Sequence, residues 1–188
     1  RLLPVGPVVI EDHIAELEAE LGDRLPESYR RLLSEVGDGP FGPGFEMRGV
    51  AAWSPSTFPV GPRVFRLGHY DVVEAHTDQS WVVAASLGAL RAACVDGELR
   101  TLELADYGCG MSAVVVLNGP ARGEVWLNDP NLGIVGPWRY FDAMFHSPTF
   151  DRGYELSDRR FDVLAWYESW LDCLLLVASQ LAETDGPA

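Results

Sequence analysis

Positive charge is scarce in this chain. Lys and Arg together number 14 against 28 Asp and Glu, a formal net charge of -14 over 188 residues. A surface that follows phosphates needs clustered basic residues, so the expectation is a protein that does not bind nucleic acid. The same deficit argues against adhesion to an anionic membrane surface. It favours solubility and attraction to basic partners. Cysteine is almost as scarce. Cys94, Cys109 and Cys173 are an odd set with no paired spacing, so no disulfide framework or zinc ribbon is readable. A reducing cytoplasm is the simplest setting. No apolar run is long enough to span a bilayer, and no internal repeat or low-complexity block is present. No signal peptide stands at Arg1, although the missing initiator Met leaves a trimmed start open.

What remains is an ordinary globule. The chain is 47% apolar and 22% charged, and 188 residues suit one domain with a real core, taken as 1–188. Its centre is the stretch around Asp106-Tyr107-Gly108-Cys109-Gly110. Before it, Gly97 to Leu104 alternates polar and apolar as a half-buried strand does. After it, Ala113 to Leu117 is a continuous, mostly β-branched run, the pattern of a fully buried strand. Asn118-Gly119-Pro120 and Arg122-Gly123 make a turn, and Glu124 to Asn128 is the return strand of a hairpin.

The flanks read as helices. Ile10, Ile14, Leu17 and Leu21 recur at helical spacing, with Glu11, Asp12, Glu16, Glu18 and Glu20 on the other faces and Gly22 as the stop. Pro26 suits the first turn of a second helix, whose core face is Tyr29, Leu32, Leu33 and Val36. Residues 39–62 are loop-rich, with a short strand expected at Phe45 to Arg48 and Trp53 and Phe58 as plugs. Ser80 to Ala93 has helical composition despite Gly88. Ile134-Val135 with Trp138 suggests one more strand, and Phe141 to Asp151 an irregular link. Ser157 or Asp158 is expected to cap a final helix. Two adjoining apolar stripes on that helix, one through Val163, Tyr167, Trp170, Leu174, Val177 and Leu181 and one through Phe161, Leu164, Leu171 and Leu175, imply burial on more than one side. The fold class expected is α+β: a small, mostly antiparallel sheet around the hairpin, flanked by N-terminal helices and a long C-terminal helix.

Gly108-Cys109-Gly110, Val114 to Leu117, Gly119-Pro120 and Gly123 to Trp126 resemble the central hairpin of the SUKH superfamily, the group of fungal cell-wall assembly regulators and bacterial immunity proteins. Leu25-Pro26-Glu27-Ser28-Tyr29-Arg30-Arg31-Leu32-Leu33 with Gly37-Asp38-Gly39 resembles its N-terminal helix pair, and Phe161 to Leu171 its closing helix. The resemblance implies a non-catalytic protein, without cofactor, that binds and neutralises a cognate toxin. Many nucleic-acid-cleaving toxins are basic, which suits the charge. A scaffold or regulatory protein-binding module is the alternative.

Two chemical constellations are weighed beside this. His69, Asp71, Glu74, His76 and Asp78 are metal-ligand types, but neither a strand nor a helix brings all five to one side. A solvated acidic loop is the better reading. Cys109 invites a nucleophile with His146 as base and Asp142 as orienter, yet no electropositive surroundings are visible to activate the thiol. A small residue packed between two glycines is the better reading there. No catalytic residue or metal site is expected. The carboxylates left for partner contact are Asp71, Glu74, Asp78, Asp96 and Glu98; the acidic face of the first helix comes after them.

Overall fold

A computed structural model describes residues 6–39, 41–44, 46–47, 63–66, 80–146 and 158–184. The elements in chain order are α1 (Glu11–Leu21), α2 (Glu27–Arg31, running on into a π-helical turn at Leu32–Val36), β1 (Glu46–Met47), β2 (Arg63–Arg66), α3 (Ser80–Ala93), β3 (Glu98–Gly108), β4 (Met111–Val116), β5 (Val125–Asp129), β6 (Ile134–Pro137), a 3-10 turn at Trp138–Tyr140, α4 (Asp142–Phe145) and α5 (Val163–Thr184). The class is α+β. All the strand pairs described are antiparallel, in the order β1-β3-β4-β5-β6, with β2 also paired to β3.

The expected hairpin is β4–β5, with Val114 opposite Trp126. A second hairpin precedes it. β3 runs on through Asp106 and Tyr107 to Gly108, which pairs with Met111, so Cys109-Gly110 is a two-residue turn. Their φ values of 51° and 82° give the type I′ geometry that matches strand twist. The expectation of a packed Cys109 is corrected: the residue is exposed, and its own backbone takes the left-handed conformation.

The larger core joins Leu102, Leu104, Val115, Leu117, Val125 and Leu127 of the sheet to Ile14, Leu17, Tyr29, Leu32 and Leu33 of the N-terminal helices and to Trp138, Phe141, Phe161 and Trp166. The smaller core lies on the other sheet face, where Leu99, Val114, Val116, Trp126 and Val135 meet Phe65 and the Leu90 and Ala93 side chains of α3. Trp126 is 1% exposed, as a core residue of the hairpin should be. α3 packs along β6, the outermost strand, and so protects that edge. Its Ser86 Oγ would lie 2.3 Å from a Cβ at Gly136, so glycine is what permits the contact.

Several local expectations shift. Ile10 precedes α1 and is exposed, and Val36 points outward rather than into the core. Gly22 does end α1, with φ 64° and amide bonds back to the last turn. The stretch expected to be irregular contains α4. The cap of α5 is Asp162, not Ser157 or Asp158: its Oδ1 accepts the Ala165 amide at 2.9 Å. Phe161 before the cap and Trp166 in the first turn are both buried, at the spacing of a hydrophobic staple. Beyond Trp170, none of the described side chains of α5 is fully buried, contrary to the expectation of burial on more than one side. Trp53 and Phe58 lie outside the described residues.

Candidate functional site

His146 and Asp142 are one helical turn apart on α4, and they do meet: His146 Nδ1 lies 3.0 Å from Asp142 Oδ1, at ion-pair distance but off a good hydrogen-bonding line. The other ring nitrogen, Nε2, faces the Tyr107 hydroxyl at 3.4 Å, not the Cys109 thiol. The imidazole is 1% exposed and tilts against Trp138, while Tyr107 packs edge-on to Phe145. Asp142 Oδ1 also accepts the Trp138 indole N–H at 3.1 Å and the Ser169 hydroxyl at 2.9 Å. Burial pushes this carboxyl up. His146, Ser169 and Trp138 together overcome that and hold it below the usual carboxylate range. Burial pushes the Tyr107 phenol well up. A half-buried carboxylate with this many partners is a clamp that ties α4 and the turn before it to α5.

The predicted contact carboxylates part company. Asp71, Glu74 and Asp78, with His69 and His76, lie outside the described residues. Among the described residues, no group of three or more His, Cys, Asp or Glu could hold a metal. Asp96 stands at the tip of the turn between α3 and β3, with φ 52° and Gly97 beside it at 77°. An Asp-Gly pair is the common signature of that turn, a signal the sequence carried. Glu98 pairs across to Arg66 at 3.0 Å, so its charge is engaged within the sheet.

Where α2, the β4–β5 turn and the start of α5 converge, there is an open cleft of about 480 Å³ lined by Pro26, Glu27, Ser28, Arg122, Gly123, Glu124, Arg160, Asp162 and Ala165. Backbone contacts build it. Glu124 bridges to Asp162, the Val125 amide bonds the Phe161 carbonyl at 2.7 Å, and Ser28 Oγ accepts the Val163 amide at 3.3 Å. Several of its polar groups are already matched. Glu124 sits between Arg139 at 3.5 Å and Arg160 at 3.3 Å, and Arg122 reaches Asp23 at 3.6 Å. These pairs fasten three elements together.

The same economy holds for most of the described arginines. Arg30 is held by Glu11 and Glu18, Arg31 by Glu35, Arg63 by Glu103 and Arg100 by Asp23. The hydrogen bond that Arg30 donates to Glu18 leads in raising its guanidinium above the ordinary value. Most described arginines are thus neutralised by the chain's own carboxylates, several of them in exposed pairs, and acidic residues are in excess at the surface. The clearest case is α1, where Asp12, Glu16 and Glu20 are exposed at i, i+4 and i+8 and no basic residue stands in the last turn. Like charges one turn apart cost a helix a few tenths of a kcal/mol per pair, roughly, so folding alone does not favour this stripe. No family model, curated protein or solved structure matches the chain.

Proposed function

We propose that this chain is a SUKH-type immunity protein, a non-catalytic binder that neutralises a basic toxin domain by covering its active site. The observation that carries the reading is the division of charge. Eight described arginines are spent on the chain's own carboxylates, whereas the α1 stripe of Asp12, Glu16 and Glu20 faces solvent. An acidic surface speeds the encounter with a basic partner and disfavours partners of its own sign. The α+β class suits the family, although one fold serves many functions. Asp71, Glu74, Asp78 and Asp96 are the proposed contacts, with α1 as the second steering surface. Glu98, engaged with Arg66, contributes less than its position in the sequence suggests.

The first test is whether a large secreted protein with a C-terminal toxin domain is encoded beside the gene; such a domain is then the binding probe. Co-expression should protect a toxin-producing cell, and stopped-flow association should be fast at low salt and slow as salt rises. Reversing Asp71, Glu74 and Asp78 to Lys should slow association and weaken its salt dependence. Absence of both protection and binding refutes the immunity reading. Binding to a non-toxic protein, without protection, supports the scaffold module instead.

A further inference from the structure

A recess of about 130 Å³ lies between α3 and the β4–β5 turn, beside the smaller core. Small residues of α3, Ala89 and Ala92 among them, form one wall, and Trp126 belongs to the lining. The Trp126 indole N–H is buried without a hydrogen-bond partner among the described residues. An unmet buried donor costs free energy, so a chain that keeps one calls for an explanation. The lining also carries charge. Glu124 stands two residues before Trp126, and Arg139 two residues after Pro137, the cross-strand partner of Trp126. Arg139 and Arg160 both pair with Glu124, at 3.5 and 3.3 Å, so two guanidiniums share a single carboxylate. The lining is therefore net positive, in a chain of net charge -14.

We propose that this recess binds a small organic acid, a carboxylate carrying one apolar group of phenyl or isobutyl size. An apolar cavity of about 150 Å³ takes a benzene ring, so the volume sets the size of that group. The unmet indole N–H calls for an acceptor, and the second guanidinium calls for a negative charge. The apolar group lies against the alanines of α3. The carboxylate accepts from the Trp126 N–H and from Arg139 or Arg160, and Glu124 competes with it for the same arginines. None of the lining belongs to α1, so the site stands apart from the acidic stripe and holds whether or not the chain meets a toxin.

Phenylacetate is the probe, with acetate as the anion lacking the ring and phenylacetamide as the ring lacking the charge. The Trp126 indole cross-peak in a nitrogen–proton correlation spectrum, assigned by its loss in Trp126→Phe, reads the contact on the whole chain. Phenylacetate should move that proton downfield as it gains an acceptor. The shift should saturate with a dissociation constant of roughly 1 mM, the range for a ligand of about ten non-hydrogen atoms. Acetate and phenylacetamide should each bind at least about tenfold more weakly. Arg160→Gln, at an exposed position, should weaken phenylacetate binding roughly two- to fivefold. Glu124→Gln frees both arginines and should strengthen it by a similar factor. A purely structural ion pair would not give opposite signs from its two members. An unmoved Trp126 peak up to about 10 mM phenylacetate overturns the proposal. So does an equal response to acetate, which marks an adventitious anion only. Equal binding of phenylacetamide, or a change of the same sign in the two variants, overturns it as well.

Discussion

The two halves of α5 share a composition and differ in fate. The first half carries Val163, Trp166 and Tyr167 into the larger core, led in by Phe161 and Asp162. The second half repeats the apolar pattern, yet none of its described side chains is fully buried. Periodicity reports that a face is apolar; it does not report what lies against it. Trp166→Ala should cost about 3–5 kcal/mol, since a fully buried ring leaves a cavity that its neighbours only partly fill. Leu175→Ala, measured by urea unfolding at low protein concentration, should change stability by less than about 0.5 kcal/mol. A cost above about 1.5 kcal/mol for Leu175→Ala would erase the contrast and place the second half in a core after all.

Asp142 sharpens the same contrast, because it fastens only the first half, through Ser169. Asp142→Asn should cost about 1–3 kcal/mol, the range for losing hydrogen bonds to a charged group. The sign of its pH dependence follows from the direction of the shift. The folded carboxyl titrates below its unfolded range, so its contribution is complete above that range. It is lost as pH falls through the lower, folded value. Wild type should therefore lose stability on the acid side more steeply than Asp142→Asn. Parallel acid limbs for the two proteins would mean that the carboxylate is not held as the geometry indicates.

Much of the fold was legible where residue type and period agree. The β-branched run of β4, the Gly-Pro turn and β5 identify their hairpin without any tertiary information, and Ser80 to Ala93 is a helix despite Gly88. The sequence pairs Asp142 and His146 only as orienter and base for Cys109. Their meeting one turn apart on a helix is not legible there, because Phe141 to Asp151 reads as irregular. Tyr107 is not legible as the third member, because only the sheet brings it there. Asp162 was missed as a cap although Phe161 and Trp166 flank it at staple spacing. Cys109 was misjudged because glycines on both sides suggested that they, rather than the cysteine, took the positive φ. A non-glycine residue in that conformation is strained, and Asn tolerates it better in a turn of this type. Cys109→Asn should stabilise the chain by about 0.5–1 kcal/mol in thermal or urea unfolding. A loss of stability would show that the thiol makes contacts its exposure hides.

The smallest stability change is expected where the largest kinetic change is proposed. α1 and the second half of α5 are both exposed helical surfaces, one acidic and one uncharged over ten residues. Reversing Asp12, Glu16 and Glu20 to Lys replaces one like-charged stripe by another, so the repulsion at i, i+4 is kept. Asp12 loses a favourable place in the first turn, while Lys at position 20 gains one in the last. These effects nearly cancel, and unfolding should shift by no more than about 0.5 kcal/mol. Association with a basic toxin domain should nevertheless slow at low salt and converge on wild type at high salt, because steering is a screened, long-range effect. If α1 reversal leaves the low-salt rate untouched while reversal of Asp71, Glu74 and Asp78 slows it, steering belongs to that segment alone. If neither reversal has an effect, the acidic surface is a solvated face and the occlusion reading loses its physical basis.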